Sequence, residues 1–244
     1  MLLERYREAI DGLFKKVRDT QTENIIKAGE TVAESIANGG CIFLSSICHS
    51  MEMDSIYRGG GPIFYKHFSY NLNIENGARE RDNSDLGIDS QGAEARYALT
   101  QSNFRPGDVL FLSSVSGRTK KVVDLAYEAV KLGIKVIAFT SMEYAVKVDP
   151  VHPSGKKLYE IATITIDNCA PAAEAMLDVD GIEAKFGAAS GIASDYIMWS
   201  ITSVAVEKLL EKGITPGILK SANYPGGMEY NKTVVEPNYD KYGW

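Results

Sequence analysis

From Cys41 onward, short apolar runs alternate with longer stretches whose apolar residues recur every three or four positions. The runs are Cys41–Ser46, Ile63–Phe68, Asp108–Ser114, Ile134–Thr140 and Ala162–Asp167. Each is of strand length and most are apolar throughout, the pattern of strands buried on both faces of a parallel sheet. Between the third and fourth runs, Val122, Leu125, Ala126, Ala129 and Val130 share one side of a helix that Gly133 ends, so this stretch reads as a compact βαβ unit. Ile197, Ile201, Val204, Ala205 and Leu209 predict a long helix ending at Gly213. Ahead of the first run, Tyr6, Ile10, Phe14 and Val17 predict one helix. Thr20 with Glu23 has the form of a capping box opening a second, which turns Ile25, Val32 and Ile36 inward and stops at Gly39-Gly40.

The expectation is a single α/β domain over residues 1–244. It divides into N-terminal helices over 1–38, a three-layer α/β/α core over 40–215 with a mostly parallel five-stranded sheet, and an extended tail over 216–244. Two stretches fit this core poorly. Residues 71–93 are polar without a clear period, and loops of that length in compact domains tend to carry function. The tail holds Tyr224, Tyr230, Tyr239, Tyr242 and Trp244 among turn residues, an aromatic content that calls for a packing surface, such as a second subunit.

Composition narrows the function classes. With 244 residues, 45% of them hydrophobic, the chain can bury a full core. A net charge of −6, from 26 Lys+Arg against 32 Asp+Glu, and the lack of a basic cluster argue against nucleic acid as a partner. The start MLLERYREAI places charges where a leader needs an apolar stretch, and no apolar run is long enough to cross a bilayer. A cytoplasmic protein without membrane partners is expected. Cys41, Cys48 and Cys169 form an odd set without CxxC spacing, so neither a disulfide framework nor a metal site is expected, and no cofactor motif appears.

The sharpest chemical signal is Ser113-Ser114-Val115-Ser116-Gly117-Arg118-Thr119, between a buried strand and the helix that follows. Open α/β sheets bind ligands at the carboxyl ends of their strands. The N–H groups and positive dipole end of a helix start suit an anion. Hydroxyls of Ser114, Ser116 and Thr119 then complete an anion cage in an acidic protein that lacks a lysine cluster. The competing reading is that these residues only cap the helix.

SVSGRT followed by KKVVDLAYEAVKLGIKVIAFTSM resembles the Ser-x-Ser-Gly-x-Thr phosphosugar loop and βαβ unit of sugar isomerase (SIS) domains. CHSMEMDSIYRGGG, RPGDVLFLSSVSGRT, HPSGKKLYEIATITIDNCAP and SANYPGGMEYN extend the likeness, in order, to the branch related to phosphoheptose isomerases and N-acetylmuramic acid 6-phosphate etherases. The resemblance implies a sugar phosphate as ligand and a homodimer or higher homo-oligomer. It implies that Ser114, Ser116, Gly117, Arg118 and Thr119 hold the phosphate, helped by Ser50. Two departures stand out. The family's Gly-x-Gly-His-Ser reads Ser46-Ile47-Cys48-His49-Ser50 here, without either glycine, and a family Glu-Gly pair reads Gln91-Gly92.

Aldose–ketose isomerisation needs a base to move a proton between adjacent carbons and an acid to open the ring. His49, beside the proposed loop, is the first candidate, with Glu94 and Glu229 as carboxylate candidates. His152, Asn223 and Asn231 are candidates for sugar contact; His67 is expected to be structural. Against each stands a plain reading: a cap for His49, a turn for His152, a solvated helix face for Glu94. Three functions remain in view: a phosphosugar isomerase, a phosphosugar lyase or etherase, and a non-catalytic phosphosugar-binding regulator. A dinucleotide-dependent oxidoreductase is set aside, because no GxGxxG follows the first strand.

Overall fold

In a computed structural model, residues 1–45, 52–79, 82 and 90–242 are described. Five parallel strands build the main sheet: β1 (Ile42–Ser45), β2 (Tyr65–Phe68), β3 (Val109–Ser113), β4 (Lys135–Thr140) and β5 (Ile164–Asp167). Their spatial order is β2-β1-β3-β4-β5, with β1 paired to both β2 and β3. The chain winds outward in both directions from the β1/β3 pair. This is the topological switch point at which sheets of this order open a crevice for ligands. The fold class read from the apolar runs holds, each strand lying within one of the five.

Each face of the sheet carries helices. Helix α1 (Leu2–Ala37) and helix α6 (Ser190–Glu211) cover one side, where Ile42, Leu44, Phe111, Phe139 and Ile166 meet Val32, Ile197 and Ile201. Helix α3 (Ser90–Gln101) and helix α4 (Lys120–Lys131) cover the other, packing Leu99, Val122, Leu125 and Ala129 on Leu110, Leu112 and Val136. Gly29 lets α1 and α6 approach closely, since a Cβ there would come within 2.5 Å of Val204 Cβ. Two short helices complete this part, α2 (Glu52–Ser55) and α5 (Met142–Ala145).

Four expectations need correction. The two N-terminal helices are one helix of 36 residues. Thr20 does not cap; its hydroxyl donates to Lys16 O one turn back, an alternative that the same sequence offers a mid-helix threonine. Continuation through Thr20 lets α1 run past the sheet, with Gln21 Oε1 accepting from Asp167 N at the sheet's carboxyl end. Val130 is 41% exposed rather than packed with its helix neighbours, because it lies on the far flank of α4. The tail is not extended: α7 (Gly227–Tyr230), a π-helical turn (Asn231–Val235) and α8 (Pro237–Tyr242) fold it back, with Val235 buried. Between β5 and α6 the chain forms a hairpin, β6 (Ala175–Val179) and β7 (Ile182–Ala188), that the apolar pattern did not predict.

Candidate functional site

β3 delivers the Ser/Thr loop to the switch point. Ser113 and Ser114 are buried, and Ser114 N donates to Phe139 O on β4, which locks the loop's start to the sheet. Gly117 N then donates back to Ser114 O, a tight turn with Gly117 at φ +68°. A side chain at Gly117 would be strained by that backbone, and its Cβ would lie 3.2 Å from Thr140 Oγ1 and 3.4 Å from Ala145 Cβ. Thr140, the last residue of β4, donates its hydroxyl to Ser114 O at 2.7 Å. Thr140 was not singled out from the sequence, because a residue twenty-six positions from Ser114 gives no local signal of that contact.

The competing reading, in which the hydroxyls cap α4, now meets a geometric test. Thr119 occupies the N-cap position, yet its side chain makes no capping hydrogen bond. Thr119 Oγ1 instead lies 3.0 Å from Ser114 Oγ, and Ser116 and Arg118 are half-buried beside them. The structure therefore brings Ser114, Ser116, Gly117, Arg118 and Thr119 together at the carboxyl end of β3, next to the positive end of α4. Such an arrangement attracts an anion.

The segment after α5 closes over this turn. Leu158 N donates to Gly117 O at 2.8 Å, and the buried Lys157 ammonium is held by Ala145 O and Val148 O. His152 lies on the flank of α4: Nε2 is 2.8 Å from Asp124 Oδ1, Nδ1 is 2.6 Å from Ser154 Oγ, and the ring stacks on Tyr127 at 6.1 Å. Both ring nitrogens are thus occupied within the chain. Asp124 is 2% exposed, and its second oxygen has no partner, so His152 is the group that answers this carboxylate.

Glu94 sits on α3 facing α4, where it pairs with Lys121 at 3.6 Å and accepts from Leu72 N. Lys121 also donates to Tyr70 O and covers the Tyr70 ring at 4.4 Å, and burial pushes the Tyr70 phenol above its ordinary range. Asn231 spends both ends of its amide on Lys220, donating to its carbonyl and accepting from its N–H. Glu229 and Asn223 are exposed on the tail. His67 lies within β2, exposed, with Nε2 3.0 Å from Ser69 Oγ. Ser46, Cys48, His49 and Ser50 lie outside the described residues, as does the side chain of Gln91.

The position of Asn168 at the end of the last apolar run reads in the sequence either as facing the ligand end of the sheet or as simply ending the strand. It is fully buried; Oδ1 accepts from Ala170 N and Nδ2 has no partner. On α6, burial pushes the Asp195 carboxyl up, with Arg58 pulling it partly back. No local pattern marks Asp195. Among the described residues, no group of three or more His, Cys, Asp or Glu is placed to hold a metal ion. Nor is any helix among them long and apolar enough to cross a membrane.

With that geometry in place, the chain's class can be stated. It belongs to the SIS domain family, whose pattern matches residues 5–141. A UPF0309 protein of Streptomyces griseus is 34% identical over 246 aligned positions, covering 98% of this chain and 96% of the relative. A UPF0309 protein of Shouchella clausii is 30% identical, covering 96% and 95%. Among solved structures, a phosphoheptose isomerase from Neisseria gonorrhoeae superposes with a TM-score of 0.53 at 15% identity, over 85% of this chain and 98% of that one. This last likeness is one of fold.

Proposed function

We propose that the protein binds a sugar phosphate with its phosphate against the Ser114–Thr119 turn and isomerises the sugar between aldose and ketose. The observation that carries the binding reading is that Ser114 and Thr119 bring their hydroxyls together at the switch point while the Thr119 side chain, at the N-cap position, makes no capping hydrogen bond to α4. Ser116 and Thr119 donate to phosphate oxygens, the helix dipole favours the charge, and the Gly117 turn holds the loop's backbone close to the ligand. Membership of the SIS family supports the same ligand class. His49 from the first loop, or Glu94 or Glu229, serves as the acid or base, and two copies of the chain form the working unit.

A second reading has a specific observation behind it. His152 has both nitrogens occupied and Glu94 is tied to Lys121, so neither is a free proton carrier as folded. That favours a sugar-phosphate sensor that binds without turnover.

Thermal-shift measurements against paired phosphorylated and unphosphorylated sugars, pentose to heptose, test the binding claim. A ligand at about a hundred times its Kd adds roughly 2.7 kcal/mol of stability. Stabilisation by phosphorylated members alone is expected, and stabilisation by both members of a pair, or by neither, would overturn the phosphate assignment. Aldose–ketose turnover of the stabilising sugar separates enzyme from sensor.

A further inference from the structure

Asp124, His152 and Ser154 form a chain of hydrogen bonds on the flank of α4 that the sugar-phosphate reading leaves unused. Ser154 N donates to His152 Nδ1 at 3.1 Å, so Nδ1 carries no proton and accepts. The proton of the neutral ring then sits on Nε2, which donates to Asp124 Oδ1 at 2.8 Å. With that tautomer set, Ser154 Oγ, 2.6 Å from Nδ1, donates to the ring. Carboxylate, imidazole and hydroxyl stand in the order that activates a serine as nucleophile, with the two ring nitrogens exchanged relative to the commonest arrangement. Burial is graded along the same chain: Asp124 is 2% exposed, the His152 side chain 9%, and Ser154 lies open to solvent. Stacking on Tyr127 holds the ring in place. Asp124 Oδ2 is the telling atom. A buried carboxylate oxygen without a partner is costly, and a histidine that only ties down a turn needs no such charge behind it. That charge gains a use when the ring takes a second proton, because it stabilises the imidazolium.

We infer that Ser154 is a nucleophile that takes a short acyl group from an activated ester, with His152 as its base and Asp124 as the positioning residue. Ser154 Oγ bonds to the ester carbonyl carbon while its proton passes to His152 Nδ1, and the leaving alcohol takes that proton as its C–O bond breaks. Water then attacks the acyl-serine, its proton passing through Nδ1 to Ser154 Oγ, and the carboxylic acid departs. Ester and water become acid and alcohol, with no further reactant. The same turn sets the substrate class. Ser154 N is spent on Nδ1 and Gly155 N on His152 O, which leaves Lys156 N, 3.3 Å from Ser154 Oγ, to face a developing oxyanion. A single donor stabilises that charge less than a pair does, so the site suits esters with good leaving groups rather than amides. Val151, Pro153, Gly155 and Lys156 are all exposed, so the site is open and suits short acyl groups such as acetyl.

A fluorophosphonate probe on the folded full chain tests the nucleophile. Ser154 Oγ bonds to phosphorus, fluoride leaves, and peptide mass spectrometry locates the adduct. The adduct is expected on Ser154, absent in Ser154→Ala, and lost when the chain is unfolded in urea, which separates the three residues. Para-nitrophenyl acetate then reads turnover. Asp124→Asn, checked for folding by circular dichroism, should lower kcat roughly 100-fold and leave KM alone, because the carboxylate touches the ring and not the ester. No adduct, an adduct only on another residue, or equal labelling of the unfolded chain overturns the proposal. So does ester turnover that is unchanged in Ser154→Ala, or a folded Asp124→Asn that keeps its kcat. Ser154→Ala should bind sugar phosphates as the wild type does, so these outcomes stay distinct from those of the thermal-shift panel.

Discussion

The β3–α4 turn and the β6–β7 hairpin both leave the carboxyl end of a sheet strand, yet their residues face opposite ways. In the turn, Ser113, Ser114 and Val115 are buried, Gly117 takes left-handed backbone, and Thr140, Phe139 and Leu158 hold its backbone from two neighbouring segments. In the hairpin, six of the seven residues of β7 are exposed and one edge stands open. The difference teaches how to read their chemistry. A polar cluster fixed from behind presents preorganised donors to a small anion, whereas an exposed strand presents a repeating edge suited to another chain.

That contrast can be broken at graded cost. The largest expected effect lies beside the turn: His152→Ala leaves Asp124 buried without its partner and should destabilise the fold by about 3 kcal/mol. Chemical denaturation reads this, and a loss below 1 kcal/mol would mean that the pair is not what holds the segment after α5 in place. Next comes ligand affinity. Ser116→Ala with Thr119→Ala removes two donors to a charged group and should weaken sugar-phosphate binding roughly 100-fold. Its cost in stability should be only about 1 kcal/mol, because Ser114 Oγ loses its neighbour. Isothermal titration and melting curves on the same sample separate the two effects. Unchanged affinity would remove the phosphate role from this loop. Gly117→Val imposes a side chain where φ is +68° and Thr140 stands close, and should cost about 2 kcal/mol while lowering affinity. A Tm equal to that of the wild type would show that the turn can relax. At the bottom of the scale, Phe186→Ser should change monomer stability by about 0.5 kcal/mol or less and leave sugar-phosphate affinity alone. A large loss of either would mean that the hairpin is not the separate surface described here.

The parallel sheet was legible because its strands are buried on both faces and therefore read as unbroken apolar runs. All five runs contain the observed strands, offset by a few residues at their ends. The Ser/Thr turn was legible for a related reason, as strand, turn and helix follow one another within a few residues. The hairpin escaped notice because unbroken apolar runs were the guide, whereas β7 alternates, with Ile182, Ala184, Phe186 and Ala188 set against Glu183, Lys185 and Gly187. Asp180-Gly181, a turn pair between Val179 and Ile182, is a second local mark that could have announced it. The single N-terminal helix escaped because Thr20 and Glu23 satisfy a capping rule that a continuous helix also permits; packing of α1 against α6 on both sides of Thr20 decides between them. His152 shows the limit for site residues. Its neighbours Pro150 and Pro153 announce a turn, but nothing in that turn names Asp124, twenty-eight positions earlier.

Layering, strand number and the place of the anion turn follow from patterns that act over one or two elements: apolar period, glycine placement, hydroxyls at a helix start. These are local consequences of burial and backbone geometry, so the order of residues carries them directly. Whether the Thr119 hydroxyl caps α4 or meets Ser114, which carboxylate faces His152, and which edge of the hairpin is left open depend on segments far apart in the chain. Those contacts depend on tertiary packing, because the energy of a buried carboxylate or an uncovered strand edge is set by what packs around it.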